Sequence, residues 1–259
     1  MLVLLPPSES KSAPPRRGNG VVLDRLSFPE LTDVRKQVLT ALVETSARPE
    51  ALELLQVGHS LADEVARNLT LASAPTRPAH AVYTGVLYDA LGWPTLSASA
   101  RRRGANRVVI TSALWGALRP NDRVPSYRLS MDGDLPGLGP LARLWRTELP
   151  AALATAAGRR GLIVDCRSGP YAAAAPLTGP LAARTVAVRV LRDQDGRRSV
   201  VSHLAKHTRG EVTRHLLESE SDPSTPTALA AAVGQRWPVE LTAPPKPGTP
   251  WVLDVILLS

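Results

Sequence analysis

Three segments place cations and hydroxyls where a strand ends, the position at which α/β sheets present groups to ligands. The first is Ser8-Glu9-Ser10-Lys11, after the apolar run Val3–Leu5. A hydroxyl and an ammonium in such a loop can hold an oxyanion by hydrogen bonds and charge, although an ordinary solvated loop has the same composition. The second runs from Ser112 to Asp122 and on through Pro125-Ser126-Tyr127-Arg128-Leu129. Gly116 permits a tight turn or a close backbone approach. Arg119 and Arg128 offer planar forks suited to phosphate or carboxylate. Asp122 could pair with one of them and leave the other free, while Tyr127 could stack or donate a hydrogen bond. A structural Arg–Asp pair that pins a long loop is the equal alternative. The third segment is Ser202 to Glu211, in which Lys206 and Arg209 stand three apart and share a face if the segment is helical. Two cations without matching acids at a strand-to-helix junction ask for an anion. A solvated helical face is the plainer reading.

Other chemistries lack their residues. The chain has no Walker motif, no G-x-G-x-x-G, no H-E-x-x-H and no G-x-S-x-G. His203 and His207 have the i, i+4 spacing of a ligand pair, but only Glu211 supplies a carboxylate nearby, so neither a metal nor a cofactor is expected. The single cysteine, Cys166, excludes an intrachain disulfide and any multi-thiolate site. Arg167 could lower its pKa, but a buried, inert thiol is the expected state.

These segments need elements to hold them. Val3–Leu5, Val108–Ser112, Leu162–Asp165, Val186–Val190 and Trp251–Leu257 read as strands, short, apolar and rich in branched side chains. Asp195-Gly196 marks a hairpin into Ser199–Ser202. Helical spacing recurs after Thr32 or Asp33, which should cap a helix carrying Val34, Val38, Leu39 and Leu42 on one face. It returns in 51–56, 61–68, 141–156 (with Leu144, Trp145, Leu149 and Leu153 inward) and 206–217, while 79–91 gives a mixed signal. Residues 12–20, rich in Pro, Arg and Gly, should form a surface loop. Strands interleaved with helices imply an α/β (α+β-like) fold, a mixed β-sheet surrounded by helices. No repeat or convincing linker divides the chain, so residues 1–259 are expected to form a single domain.

Composition agrees. Of 259 residues, 44% are hydrophobic and 21% charged, the balance of a folded protein rather than a disordered one. The net charge is +8, which draws polyanions, with nucleic acid the usual candidate. Arg greatly outnumbers Lys, and Ala and Pro are abundant, so codon bias alone could produce the same excess. The opening Met1–Pro7 lacks a basic n-region and a full h-region, and no apolar run approaches the roughly 18 residues that span a bilayer. A reducing cytoplasm, with no membrane partner, is the expected location.

In this order, the segments resemble the YaaA family of peroxide stress proteins over nearly the whole chain. The opening Met1–Lys11 is similar to that family's apolar strand followed by Ser/Pro and a Lys. Phe28-Pro29-Glu30-Leu31 resembles its Pro-Glu-Leu element, and Val82-Tyr83-Thr84-Gly85 its Val-Tyr-x-Gly. The most specific match is Ser112–Asp122 with Pro125–Leu129, similar to Ser-Gly-Leu-Tyr-Gly-x-Leu-Arg-Pro-x-Asp and then Pro-Tyr-Arg-Leu. Ala205–Gly210 resembles Ala-Lys-x-x-Arg-Gly. Trp115 replaces the family's Tyr, Ala113 its Gly, and Ser168-Gly169-Pro170-Tyr171 its Ser-x-Glu-Tyr, whose acid is absent here.

The resemblance implies a mixed α/β fold with a cationic cleft, DNA binding, and a part in limiting oxidative damage to DNA. Ser8, Lys11, Arg119, Tyr127, Arg128, Lys206 and Arg209 are the expected anion-binding residues. An enzyme acting on a small phosphorylated or nucleotide-like metabolite is the alternative, with Lys11, Tyr127 and Lys206 as candidate catalytic groups.

Overall fold

The computed structural model describes residues 1–195 and 197–258. Its centre is an eight-stranded mixed sheet. In chain order the strands are β1 (Leu2–Leu5), β2 (Val108–Ser112), β3 (Gly116–Leu118), β4 (Ile163–Asp165), β5 (Thr185–Gln194), β6 (Arg197–Val200), β7 (Val239–Thr242) and β8 (Trp251–Leu258). The spatial order is β7-β8-β5-β4-β1-β2-β3, with β6 paired to the far end of β5. Contacts among β8, β5, β4, β1 and β2 are parallel, whereas β3, β6 and β7 pair antiparallel to their neighbours. Parallel strands are covered on both faces and therefore carry unbroken apolar runs. Every residue of β1 and β2 is buried accordingly.

The helices are α1 (Thr32–Ser46), α2 (Val86–Leu91), α3 (Ala98–Arg107), α4 (Leu141–Ala157), α5 (Gly169–Ala174), α6 (Ser202–Glu218) and α7 (Pro226–Gly234), with shorter turns between them. On α1, Val38 and Leu42 are buried and Val34 and Leu39 pack at the margin of the core. Trp145, Leu149 and Leu153 form the inward stripe of α4. Helix α6 packs on α2 and β5. That approach is close: a Cβ on Gly210 would collide with the Leu87 carbonyl oxygen.

Three boundaries differ from expectation. Leu31, not Thr32 or Asp33, is the N-cap of α1, and no side chain caps that end, because the preceding turn Pro29–Leu31 already leads the chain into helical geometry. The strand expected over Ser199–Ser202 is β6, Arg197–Val200, and Ser202 already begins α6. Lys206 and Arg209 therefore lie inside the helix, past the junction. In the turn joining β5 to β6, Asp195 takes the left-handed conformation (φ 54°); Gly196, the second residue of the expected Asp-Gly pair, lies outside the described residues.

β1 lies between β2 on one side and β4 on the other. The chain winds outward in both directions from this strand, so the loops leaving its carboxyl end separate. Residues 6–12 are the loop that leaves β1.

Candidate functional site

The loop after β1 is fastened on two sides. Ser12 N donates to Val82 O at 2.8 Å and Lys11 forms a β-bridge with Tyr83. Ser126 Oγ donates to Ser12 O at 2.7 Å. The Ser8 hydroxyl donates to Ser10 O and accepts the Thr84 N–H (3.1 Å), so it closes the loop upon itself. Lys11 is thereby folded back beneath its own loop. Its Nζ donates to the carbonyls of Ser8 (3.1 Å) and Glu9 (3.3 Å) and stands 4.2 Å from the centre of the Tyr127 ring. Cation–π contact and two carbonyl dipoles replace only part of an ammonium's hydration. Burial accordingly lowers the Lys11 pKa from 10.5 to about 8, with Glu9 raising it and Arg128 lowering it further.

Under Lys11 lies a chain of hydroxyls. Tyr127 Oη bonds to Ser112 Oγ at 2.7 Å and to Tyr83 Oη at 3.1 Å, and Ser112 Oγ accepts the Trp115 N–H at 3.0 Å. Tyr88 Oη donates to Pro6 O at 2.7 Å. Ring centres of Tyr83 and Tyr88 are 5.5 Å apart, those of Tyr83 and Tyr127 6.5 Å, and those of Tyr127 and Trp115 6.2 Å. The fourth tyrosine of the chain, Tyr171, is buried at the start of α5, and its phenol is pushed up by burial and by the charge of Glu9. Burial raises the Tyr83 phenol to about 12 and the Tyr127 phenol well above its ordinary value. These phenols stay protonated at neutral pH. Their role there is to hydrogen bond, not to ionise.

Arg128 completes the rim. Its backbone N–H donates to Asn68 Oδ1 and its carbonyl accepts from Asn68 Nδ2, both at 2.9 Å, so a buried asparagine holds the residue as a neighbouring strand would. The guanidinium meets Glu9 at 3.2 Å and Glu64 at 3.7 Å. A cavity of about 10 Å³ lined by Lys11, Glu64, Arg67, Ser126 and Tyr127 sits beside the amine. Through Arg67 and Ser126 it adjoins a cavity of about 300 Å³ whose wall includes Arg16, Thr70 and Ser73. Arg16 and Arg67 are exposed and have no carboxylate partner among the described residues.

The structure thus brings Ser8, Lys11, Tyr127 and Arg128 together. Arg119 lies elsewhere: its Nη1 donates to the carbonyls of Asn106 (2.8 Å) and Val108 (3.1 Å), at the opposite end of β2 from Ser112. Asp122 accepts from the backbone of Arg119 and from Ser27 rather than from either guanidinium. Arg209 donates twice to Val188 O on β5 (3.2 and 3.0 Å), and Lys206 is exposed on α6 with no partner among the described residues. Neither contacts Lys11. Cys166 is fully buried and its thiol is pushed up to about 12, while Arg167 is spent on Asp165 through bonds of 2.8 and 2.7 Å. His207 faces Glu211 at 3.4 Å, and no three His, Cys, Asp or Glu gather into a metal-sized group among the described residues.

Sequence reasoning missed Tyr83, Glu64, Arg67, Asn68 and Arg16. Val82-Tyr83-Thr84-Gly85 stood out as a motif without a role, and its spacing gave no sign that Tyr83 reaches Tyr127. Arg16 and Arg67 belong to segments read as a surface loop and a helix.

A half-buried amine and a hydroxyl chain gather at the carboxyl end of the central strand of an α/β protein with an open mixed sheet. The chain belongs to the peroxide stress protein YaaA family, whose model matches residues 1–238. It is 48% identical to a UPF0246 protein of Streptomyces coelicolor over 99% of this chain and 98% of that one. A UPF0246 protein of Corynebacterium efficiens is 42% identical over 89% and 90% of the two chains, and one from Cereibacter sphaeroides 30% identical over 95% and 98%. No helix among the described residues is long and apolar enough to cross a membrane.

Proposed function

We propose that this peroxide stress protein binds DNA, with the cavity beyond Lys11 as the contact surface. The observation that carries this reading is the pair Arg16 and Arg67, exposed along a cavity of about 300 Å³ and without carboxylate partners among the described residues. Guanidinium groups left unneutralised beside a groove attract phosphates, and the net charge of +8 adds a long-range pull of the same sign. Phosphate contacts position a duplex without reading its sequence, so binding is of the backbone kind. Fluorescence anisotropy of a labelled duplex across salt tests it. The slope of log K against log salt should be clearly negative and should flatten by about one unit for each of Arg16→Ala and Arg67→Ala. An affinity indifferent to salt would remove the reading.

A second reading is favoured by Lys11. An amine that titrates near 8 in a small polar cavity suits general-base or nucleophilic work on a small phosphorylated metabolite. Thermal-shift screening against phosphorylated metabolites separates the two. A compound that stabilises the wild type and not Lys11→Met supports an enzyme.

A further inference from the structure

Of the thirty-one lysines and arginines in this chain only four are lysine: Lys11, Lys36, Lys206 and Lys246. Lys36 is paired with Asp33 at the surface, and Lys206 and Lys246 are exposed. The only amine drawn beneath a loop, against an aromatic face and beside a cavity, is Lys11. If a buried cation were all that this position needed, arginine would serve, as it does at Arg35 and Arg167. An amine offers what a guanidinium does not: when neutral, a nitrogen lone pair that attacks carbonyl carbon.

The surroundings narrow the carbonyl. The cavity that Lys11 lines is about 10 Å³, room for one or two atoms of a reacting group. The adjoining cavity of about 300 Å³ is of the size that holds a sugar-sized fragment. Arg67 borders both cavities and Arg16 the larger one, so a reacting sugar would have cations for a phosphate on its chain. Tyr127 and Ser126 complete the lining of the small cavity. An aldehyde carried on a phosphate-flanked sugar fits this arrangement. Sugars of this kind arise in DNA wherever a base is lost, a common product of oxidative damage.

We infer that Lys11 captures the open-chain aldehyde of an abasic deoxyribose in DNA as a covalent imine. This rests on the DNA-binding reading above and adds a substrate to it. The Lys11 nitrogen adds to C1′ and forms the carbinolamine, a proton moving from nitrogen to oxygen. Loss of that oxygen as water then leaves the C=N bond. No oxidant or reductant is consumed, and water reverses the step. At pH 7.5 an amine titrating near 8 keeps a substantial neutral fraction, where an ordinary lysine keeps about one part in a thousand.

The test is borohydride trapping with the full chain and a duplex containing one abasic site, beside the same duplex without it. Borohydride donates hydride to the imine and makes the link permanent. A protein–DNA adduct is expected only with the abasic duplex, and peptide mapping should place it on Lys11. Lys11→Arg should reduce trapping at least tenfold, whereas Lys36→Arg should leave it intact. The initial trapping rate should climb as pH rises through about 8. Mapping in the unaltered protein keeps the result interpretable if Lys11→Arg folds poorly.

Mapping to Lys206, Lys246 or the α-amine of Met1, which is held by Asp222 at 3.2 Å, overturns the assignment. Binding of both duplexes with no trapped product overturns the inference and leaves DNA binding standing; binding of neither removes the reading beneath it. Glyceraldehyde 3-phosphate trapped on Lys11 while abasic DNA is not would move the site to a free phospho-aldehyde and overturn the DNA source.

Discussion

Arg35 and Lys11 are both cations drawn out of water, and the protein treats them in opposite ways. Arg35 has no exposed surface. Its Nε donates to Trp115 O (2.9 Å) and its Nη2 to Ser27 O (2.7 Å) and Ala117 O (2.8 Å), with the charge of Asp122 nearby. Two of these carbonyls, those of Trp115 and Ala117, come from the residues flanking Gly116. That glycine stands at φ 69° with the Trp145 ring so close that a Cβ would lie 2.5 Å from it. Arg35 therefore fastens α1 to the tight connection between β2 and β3 through Nε and Nη2, while its Nη1 has no partner among the described residues. Lys11 has two longer bonds and an aromatic face, and beside it a cavity rather than packed side chains. Burial displaces both, Arg35 from 12.5 to about 10 and Lys11 from 10.5 to about 8. The cation gripped by three carbonyls is a fastener even with its Nη1 unpartnered, whereas the one beside a cavity has room to react.

Breaking the fastener should have the largest effect. Arg35→Met keeps the volume roughly while taking a charged donor from the carbonyls of Trp115, Ala117 and Ser27 and one of two nearby cations from Asp122. We expect a loss of about 3 kcal/mol or more, read by chemical denaturation. For a chain of this size that corresponds to a fall in Tm of roughly 6–10 °C. A loss below about 1 kcal/mol would mean that water replaces the guanidinium and that the contrast with Lys11 is false.

Much of this contrast was hidden in the sequence, for identifiable reasons. β1 and β2 were legible because a central parallel strand must be apolar on both faces, and Val3–Leu5 and Val108–Ile110 are. The loop residues Lys11, Tyr127 and Arg128, which the fold brings together, stood out because they follow such strands and match a family pattern. Arg35, by contrast, sits on an amphipathic helix among Asp33, Lys36 and Gln37, where an arginine reads as a solvated charge. Only the approach of the Gly116 turn buries it. Arg119 differs in the other direction. Its spacing suggested the site, but the antiparallel return through β3 carries it to the far end of β2. The hydroxyl chain Tyr83–Tyr127–Ser112 joins residues 44 and 15 positions apart, and only the fold supplies that proximity.

Lys11→Met tests the other half of the comparison and has the opposite sign. The unfolded amine titrates near 10.5 and the folded one near 8. Below pH 8 both states are protonated and the full cost of holding a charge in the site is present. Between the two values the unfolded chain binds more protons than the folded one, so the unaltered protein gains stability as pH rises. At pH 7 the methionine variant should therefore be the more stable by about 1–3 kcal/mol. The advantage should shrink through pH 8–10 and be gone near 10.5. Urea titrations at pH 7 and pH 10 measure the difference. A variant less stable at pH 7 would show that Lys11 is a fastener after all.

The finest adjustment is at Arg128. Its charge lowers the Lys11 pKa, while Glu9 and Glu64 raise it, and the guanidinium forms ion pairs with both carboxylates. Arg128→Gln removes a like charge from Lys11 and at the same time strips two carboxylates of their counter-ion. Every term moves in one direction, so the folded Lys11 pKa should climb toward 10.5 by a fraction of a unit to about one unit. The pair itself is half in water on the Glu9 side, and its loss should cost no more than about 1 kcal/mol. With only four lysines, protein labelled with ¹³C at lysine Cε gives a spectrum simple enough to titrate Lys11 directly. A rise that also slows imine trapping at neutral pH would tie the amine's reactivity to its lowered pKa. A Lys11 pKa that stays near 8 would assign the displacement to burial alone and leave Arg128 a part only in holding the rim.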